Sequence, residues 1–575
     1  MAQNPPAGTG ADNLVWGAHL VDALVAAGVS RAVLSPGSRS TPLTLAWLRH
    51  PGARTFVRVD ERSAAFFALG LARAGGEPVA LVATSGSAPT HWWPAVVEAD
   101  RAGIPLLLLS ADRPLELQDC GANQTVDQVK LFGGHVRAFH QTGDADCRPE
   151  RLDWLRWLGH RAADQARFPV PGPVHLNIAF REPLLPDAPA DAPAGHSRPG
   201  PRVFRGILAP DPRAVAEIAE WIAGRPGVIV CGPAPGGIAA AAAIAELAQR
   251  LGAPLLADPL SGLRYGPHDR VRVLARYDAF LRGPAAPLPA PGWVIRFGAA
   301  PVSKALNQWL ESVDAPQVLV AEHGRWQDPI HRAGWVIHSD AGTFAERLSV
   351  SLRRPGVERG AWAAALDERE RKAAEAAAAL RQEGGVLFEG EVFPALLEAL
   401  PEGARLFAGN SMVIRDLDSF SGTGAKRLQF LGSRGASGID GNVSTVLGLA
   451  AGGGGPVTGV IGDLALLHDL GGLGGAADAE ALLVVINNGG GAIFGYLPQA
   501  ALPEFERGWL TPGGLDIGRA AALFGLPHRR AATRTELAAA LAELVPAPGV
   551  RVLEVVLDRE ASVRRHRDYW SAALR

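Results

Sequence analysis

The chain has 575 residues, 47% of them hydrophobic and 20% charged, so it is too long for one hydrophobic core and has the composition of a globular protein with roughly three or four domains. Its net charge of −2, without a dense run of Lys and Arg, argues against a nucleic-acid partner. Its three cysteines, Cys120, Cys147 and Cys231, are scattered and form no CxxC pair, which argues against a disulfide framework or a zinc site.

The first residues of the chain are polar and rich in Pro and Gly. They lack the basic and apolar regions of a signal peptide. The sequence also contains no uncharged apolar run of about 18 residues, the length that a membrane span needs. We therefore expect a cytoplasmic protein without a membrane span.

Helices and strands alternate from residue 1 to about 185, the first predicted domain. Amphipathic patterns predict helices, and short apolar runs predict strands. The helices are predicted over 14–27, 63–74 and 88–102, and the strands over 32–35, 55–59, 79–83 and 105–110. This alternation is typical of a doubly wound parallel sheet.

Two further α/β units follow, over 203–355 and 385–575. A Pro- and Ala-rich linker over 186–201 precedes the second unit, and a charged helix over 358–382, expected to be solvent-exposed, precedes the third. The glycine-rich loop at 232–237 follows a strand, but it does not fit G-x-G-x-x-G, and its prolines remove donor amides. The fold class is therefore α/β, with three doubly wound parallel-sheet domains.

Polar groups follow two apolar strands of the third unit. Gly462, Asp463 and Leu464 come directly after one strand, and Asn487-Asn488-Gly489-Gly490 comes after another. Open α/β sheets bind ligands at the carboxyl ends of their strands. The Asp463 carboxylate, the Asn488 amide oxygen and a backbone carbonyl at Gly490 would suit Mg²⁺ on a phosphorylated ligand. Either fragment by itself is more often a simple turn.

Cationic residues recur in Gly- and Ser-rich loops after predicted strands. Ser411 and Arg415 lie four residues apart at a predicted helix start, an arrangement suited to a carboxylate. Surface ion pairs are the ordinary alternative for any one cation of this kind. The cationic residues are Arg39, Arg113, Lys304, Arg415 and Arg434.

The Gly-Asp and Asn-Asn pair resembles the diphosphate-anchoring motif of thiamine-diphosphate (ThDP) enzymes. Glu61, at the end of the strand predicted over 55–59, would ordinarily be interpreted as a helix cap or a surface residue. In ThDP enzymes a glutamate at such a strand end donates to the aminopyrimidine ring and activates the cofactor. The resemblance therefore implies ThDP with Mg²⁺, or Mn²⁺ as a substitute, and Glu61 as the catalytic carboxyl.

Seven segments together resemble the 2-succinyl-5-enolpyruvyl-6-hydroxy-3-cyclohexene-1-carboxylate (SEPHCHC) synthases, ThDP-dependent transferases of menaquinone biosynthesis. The segments are Ser-Pro-Gly-Ser-Arg-Ser-Thr-Pro at 35–42, Thr-Ser-Gly at 84–86, Ala-Asp-Arg-Pro at 111–114, Asp-Cys-Gly-Ala-Asn-Gln at 119–124, Gly-Asn-Ser at 409–411, Ser-Arg-Gly-Ala-Ser-Gly-Ile-Asp-Gly at 433–441 and Gly-Asp-Leu at 462–464. The resemblance covers the first and third units well and the second loosely. Gly489 departs from it, because the family often has another Asn there.

By position, the resemblance implies a role for each matching residue. Ile439 would force the cofactor into its bent form. The other residues expected to contact the cofactor are Glu61, Ser437, Gly438, Gly462, Asp463, Leu464, Asn488, Ile493 and Phe494. Those expected to bind isochorismate are Ser38, Arg39, Arg113, Gln124 and Lys304. Those expected to hold the carboxylates of the 2-oxoglutarate-derived intermediate are Ser411, Arg415 and Arg434.

The implied reaction is decarboxylation of 2-oxoglutarate and 1,4-addition of the remaining four-carbon unit to isochorismate. The implied assembly is a homodimer or homotetramer with active sites between chains. The alternatives are another ThDP-dependent 2-oxo acid decarboxylase or carboligase, similar to acetolactate synthase, and a non-catalytic ThDP-binding relative. A small apolar acceptor would not need so many cations, and a binding protein would have no reason to keep Glu61.

Overall fold

The computed structural model describes residues 8–187, 200–233, 237–283, 288, 290–352, 361–382 and 387–575. Its strands form three six-stranded sheets, and the strand pairs with a defined register are parallel. Parallel neighbours need crossover connections, which helices supply. The predicted α/β fold class is confirmed. In the part of the chain just given, no helix combines the length and apolar character needed to cross a bilayer.

The first sheet has the strand order β2-β1-β3-β4-β6-β5. Its strands are β1 Arg31–Leu34, β2 Arg54–Val57, β3 Val79–Ala83, β4 Leu106–Asp112, β5 Ala138–Gln141 and β6 Pro173–Ala179. Its helices are α1 Thr9–Ala26, α2 Thr41–Arg49, α3 Glu61–Gly75, α4 Trp93–Ala102 and α5 Pro149–Gln165. Strands β3, β4 and β6 are buried along their whole length, as expected where helices cover both faces of a sheet.

The second sheet has the order β12-β11-β10-β7-β8-β9. Its strands are β7 Gly227–Cys231, β8 Leu255–Ala257, β9 Val273–Leu274, β10 Trp293–Phe297, β11 Gln317–Val320 and β12 Ala333–Ile337. Its helices are α6 Pro212–Ile222, α7 Gly237–Leu251, α8 Tyr277–Phe280, α9 Lys304–Ser312 and α10 Ala341–Ser351. The glycine-rich loop at 232–237 lies partly outside the described residues, and so does most of the predicted linker over 186–201.

Helix α11 spans Ala361–Gln382, and the expectation that it is solvent-exposed is wrong. Trp362, Leu366 and Ala373 are buried in a hydrophobic core. These positions recur at helical spacing, so they form one apolar stripe. Exposed charged residues lie off this stripe, but Glu370 lies on it, and its carboxylate accepts two backbone N–H groups. The high Ala and Glu content of the segment hid this stripe in the sequence.

The third sheet has the order β14-β13-β15-β16-β18-β17. Its strands are β13 Arg405–Ala408, β14 Gln429–Leu431, β15 Val457–Gly462, β16 Ala481–Asn487, β17 His528–Ala531 and β18 Val550–Val556. The helices of this part of the chain are α12 Glu389–Ala399, α13 Met412–Phe420, α14 Asn442–Ala451, α15 Asp463–His468, α16 Ile517–Leu523, α17 Arg534–Leu544 and α18 Arg559–Ala573.

Contacts divide the chain into two compact units. The first contains the residues up to 205 together with 433–454 and 465–481. The second contains 206–432, 455–464 and 482–575. Two segments of the third predicted domain, 433–454 and 465–481, therefore belong to the same compact unit as the first sheet. The sequence did not indicate this arrangement. The domain limits at 1–185, 203–355 and 385–575 stay a prediction.

Within the first unit, helices α3 and α14 cross at two glycines. A Cβ on Gly70 would lie 2.1 Å from the Thr445 carbonyl oxygen, and a Cβ on Gly448 would lie 2.0 Å from the Phe67 carbonyl oxygen. Backbone atoms cannot swing aside as a side-chain end can, so this crossing distance requires glycine on both helices. The crossing fixes α3, the helix that begins at Glu61.

Gly448→Ala should therefore force the two helices apart. We expect a loss of about 1–3 kcal/mol in the free energy of unfolding of the first unit, measured by denaturant or thermal unfolding. Gly134→Ala is the matched control, because a Cβ there has no atom within 4 Å, and its effect should stay within about 0.5 kcal/mol. Equal effects of the two substitutions would contradict the tight crossing.

Candidate active site

Asp463 and Gly490 meet at the carboxyl ends of the neighbouring strands β15 and β16. One carboxylate oxygen of Asp463 accepts the backbone N–H of Gly490 at 2.8 Å, and the other accepts that of Leu464 at 2.8 Å. Gly490 has φ 126°, and a Cβ there would lie 2.2 Å from the Leu510 carbonyl oxygen. The backbone at 490 can thus come this close to the carboxylate only as glycine.

The two asparagines after β16 have different surroundings. The Asn487 side chain donates to Glu554 at 2.7 Å, and its oxygen accepts the N–H of Gly489 at 3.3 Å. The Asn488 side chain is half-buried and has no hydrogen bond to the part of the chain that the structure describes. Asn487 therefore shapes the turn, and the amide oxygen of Asn488 is available to a ligand.

This donor set fits a hard divalent cation. Asp463 is only 9% exposed, and burial raises the pKa of its carboxyl, with the backbone N–H groups opposing the rise. A cation would offset the cost of the buried negative charge. One carboxylate, one amide oxygen and one carbonyl leave room for the water and phosphate oxygens that complete an octahedral Mg²⁺ site.

Glu61 is the first residue of α3 and is half-buried. Asp60 caps the helix by accepting the backbone N–H of Arg62 at 2.9 Å. Two arginines fasten this turn within the first unit: Arg58 to the Asp478 carboxylate at 2.8 Å and Arg62 to the His468 carbonyl at 2.9 Å. The backbone around Glu61 is thus held at several points, as a catalytic carboxyl requires.

The loop 433–441 carries four of the predicted site residues, Arg434, Ser437, Gly438 and Ile439. Ser437 and Gly441 adopt positive φ values of 62° and 61°, a conformation that is uncommon for a non-glycine residue such as Ser437. Arg434, Gly438 and Ile439 are half-buried, and Ser437 is exposed. In the second unit, Ile493 and Phe494 are half-buried in a 3₁₀ turn, Ala492–Tyr496.

Ser85 joins two of the predicted substrate residues. Arg113 donates to the Ser85 hydroxyl, which donates to the Gln124 carbonyl at 3.1 Å. The Gln124 side chain returns a hydrogen bond to the Ser85 carbonyl at 3.2 Å. Arg39 is held by the Phe180 carbonyl at 2.8 Å. These loops follow strands of one sheet, and hydrogen bonds join Arg113, Ser85 and Gln124 into one set.

Arg39 and Arg113 are both only 6% exposed, and their positive charges repel each other. Burial lowers the pKa of Arg113, and the charge of Arg39 lowers it further, whereas Glu182 and Asp112 raise it. Two buried guanidinium groups this near are costly unless an anion neutralises them. Because Glu182, the partner of Arg39, is largely exposed to solvent, the two arginines can still accept negative charge from a ligand carboxylate.

Ser411 and Arg415 lie together at the start of α13. Ser411 precedes the helix with φ 69°, and Arg415 donates to its backbone carbonyl. Such strain in a non-glycine residue is often found at ligand sites. Lys304 is the exposed first residue of α9, and its capping residue Ser303 donates to Asp278 at 2.7 Å.

The predicted site residues fall into two sets, one in each compact unit. Those in the first unit are Ser38, Arg39, Glu61, Arg113, Gln124, Arg434, Ser437, Gly438 and Ile439. Those in the second unit are Lys304, Ser411, Arg415, Gly462, Asp463, Leu464, Asn488, Gly490, Ile493 and Phe494. Sequence reasoning missed the linking role of Ser85 and missed Glu98 altogether. Glu98 could have been noticed as an acid on the apolar face of α4, three residues after the buried Ala95.

Two family models match the chain. Residues 15–131 match the N-terminal TPP binding domain of thiamine pyrophosphate enzymes, and residues 210–408 match the middle domain of thiamine pyrophosphate enzymes. A solved benzoylformate decarboxylase from Polynucleobacter necessarius superposes with a TM-score of 0.70, covering 95% of this chain and 98% of that one. Its sequence is 18% identical, so this likeness shows the fold alone.

Curated relatives match over nearly the whole chain. Three of them, each named 2-succinyl-5-enolpyruvyl-6-hydroxy-3-cyclohexene-1-carboxylate synthase, come from Dechloromonas aromatica, Geobacillus kaustophilus and Haloarcula marismortui. The first is 44% identical, covering 94% of this chain and 98% of the relative. The second is 43% identical, covering 98% of both, and the third is 42% identical, covering 95% of both.

Asp463→Asn should weaken binding of a divalent cation at least about tenfold, because it removes the negative charge of the donor set. Electron paramagnetic resonance of Mn²⁺, titrated into the protein with thiamine diphosphate, measures the free ion directly. Asp516→Asn is the matched control, since Asp516 is an exposed helix cap of the same unit. Unchanged Mn²⁺ affinity in the Asp463 variant would rule out this site.

Proposed function

The chain belongs to the SEPHCHC synthase family, and on that premise we propose that Asp463, Asn488 and the Gly490 carbonyl hold Mg²⁺, with Mn²⁺ as a substitute, and that Glu61 activates the cofactor. The enzyme is a ThDP-dependent transferase of menaquinone biosynthesis. It decarboxylates 2-oxoglutarate and adds the remaining four-carbon unit to isochorismate.

Bound ThDP supplies the nucleophilic carbon and the electron sink that loss of CO₂ requires. The protein must hold the cofactor, orient it and move one proton. The Asp463 donor set would hold the diphosphate through the metal. The half-buried carboxyl of Glu61 would share a proton with a ring nitrogen, Ile439 would be the apolar wedge against the cofactor, and Ile493 and Phe494 would line its pocket.

The buried Arg39–Arg113 pair best supports an anionic acceptor. Isochorismate carries carboxylates, and a small apolar acceptor would leave two buried guanidinium groups poorly neutralised. The Ser85 link to Gln124 places an amide beside this pair, where it can orient the ring hydroxyl. We propose that Ser38 and Lys304 complete the binding of isochorismate.

Helix α13 would present Ser411 and Arg415 to the carboxylates of the 2-oxoglutarate-derived intermediate, with Arg434. The helix is fastened by two buried ion pairs. Asp416 accepts from His566 at 2.9 Å, and Asp418 pairs with Arg264. Burial would lower the pKa of His566, but the hydrogen bond to Asp416 outweighs it and raises the pKa to about 9.

We propose a homodimer or homotetramer with active sites between chains. Val59, two residues before Glu61, is 82% exposed, and its neighbour Val57 is also exposed. A second copy of the chain would cover this apolar surface beside the proposed catalytic carboxyl. Sedimentation of the purified protein measures the assembly, and a monomer that is active at assay concentration would refute this proposal.

The two alternative functions, another ThDP-dependent carboligase and a non-catalytic ThDP-binding protein, fit these observations less well. Eight curated relatives carry the same synthase name. An acetolactate-type carboligase would not require the buried arginine pair. A binding protein would not require a carboxyl at residue 61.

Glu61→Gln should reduce CO₂ release from 2-oxoglutarate with isochorismate by at least about 100-fold, because an amide cannot exchange the proton. The assay measures CO₂ with ThDP and Mg²⁺ present. Glu77→Gln is the matched control, since Glu77 is an exposed residue beyond the far end of α3, paired with Arg167. Full activity of the Glu61 variant would refute its role, and release from pyruvate alone would favour the acetolactate alternative.

A further inference from the structure

Glu98 is a buried carboxylate to which no role has yet been given. It lies on α4, is 2% exposed, and belongs to the first unit. Its two oxygens accept consecutive backbone N–H groups of the loop 433–441: Gly435 at 3.0 Å and Ala436 at 2.6 Å. A carboxylate that accepts two adjacent amides fixes both the position and the direction of the chain that carries them.

The loop fits closely where it meets α4. A Cβ on Gly435 would lie 2.6 Å from the Glu98 carbonyl oxygen and 2.9 Å from the Arg101 Cβ, so residue 435 must be glycine. Beside this contact is a cavity of about 220 Å³, whose apolar wall is formed by Phe66, Pro94 and Val97. The two hydrogen bonds to Glu98 hold the loop beside this unfilled space.

The charge of Glu98 is balanced inside the protein. Arg73 on α3 lies 3.7 Å from one of its oxygens. Burial lowers the pKa of Arg73, and Glu98 opposes that effect. Removing the Glu98 carboxylate would leave the Gly435 and Ala436 N–H groups without this acceptor.

We propose that Glu98 is a positioning residue for the active site, acting through the loop 433–441. It fixes the segment on which Arg434 and Ile439 are carried, so it sets where the guanidinium meets the carboxylates of the 2-oxoglutarate-derived intermediate and where the apolar wedge meets the cofactor. The proposal rests on the roles proposed above for Arg434 and Ile439.

Glu98→Gln tests the proposal. The amide keeps the size of the side chain but can accept only one of the two N–H groups, and its NH₂ group faces the other donor. We expect faster hydrogen–deuterium exchange at the Gly435 and Ala436 amides, read by mass spectrometry of a peptide spanning 433–441. We also expect KM for 2-oxoglutarate to rise about tenfold, with KM for isochorismate changed less than about twofold.

Asp100→Asn is the matched control on the same helix. Asp100 is also buried and accepts from Arg137 at 2.6 Å and from His135 at 3.0 Å, residues without a place in the proposed site. This variant should lose stability while the exchange of the 433–441 peptide and both KM values stay unchanged. Glu98→Asp, which keeps the charge opposite Arg73 but withdraws the carboxylate, replaces Glu98→Gln if that variant does not fold.

The proposal has two parts, the anchoring of the loop and its effect on the active site, and the outcomes test these parts separately. Unchanged amide exchange in both Glu98 variants would overturn the anchoring of the loop. Faster exchange accompanied by equal changes in the two KM values, or by no change in either, would overturn the role of Glu98 in positioning the active site. Arg434→Ala distinguishes these results from a failure of the proposed function: if KM for 2-oxoglutarate is unchanged in that variant, the role of Arg434 is wrong, and the exchange data still decide the role of Glu98.

Discussion

The hydrogen bond between the Asp463 carboxylate and the Gly490 N–H joins the ends of two neighbouring strands, and the proposed diphosphate site depends on it. Parallel strands end at the same edge of a sheet, so the polar residues that follow them meet in space. The bond requires a glycine at 490, because any Cβ would strike the Leu510 carbonyl. It also leaves the Asp463 charge buried, a cost that a divalent cation removes. In the proposed function, the bound cation would neutralise a charge that the fold itself buries.

The first unit also buries charge, but there the buried groups are positive. Arg39 and Arg113 are both buried, and the charge of Arg39 adds to the effect of burial in lowering the pKa of Arg113. Ser85 and the Phe180 carbonyl hold them in place in the absence of substrate. Preorganised cations of this kind bind an anionic ligand without reorganising. In the proposed function, these two arginines would favour a carboxylate-bearing acceptor.

The sequence predicted the strands that precede the proposed site residues, because short apolar runs mark these strands locally. Asp463, Asn488 and Glu61 all follow short apolar runs, and their elements lie within a few residues of the predicted bounds. It did not predict contacts between distant segments. Glu98 meets the loop 433–441 from a helix that is far away in the chain, and nothing near Glu98 in the sequence signals its partner. The packing of 433–454 in the first unit, where α14 contacts α3, was missed for the same reason. The buried face of α11 was missed because the Ala- and Glu-rich composition hid its apolar stripe.

The chain joins the four-carbon unit of 2-oxoglutarate to isochorismate. The most direct measurement follows 2-oxoglutarate labelled with ¹³C at its keto carbon, by NMR, in a reaction with the purified protein, ThDP, Mg²⁺ and isochorismate. We predict that the label appears as a ketone bonded to a carbon of the six-membered ring, with one CO₂ released for each isochorismate consumed. Label found only in a free four-carbon aldehyde, with isochorismate untouched, would contradict the assignment.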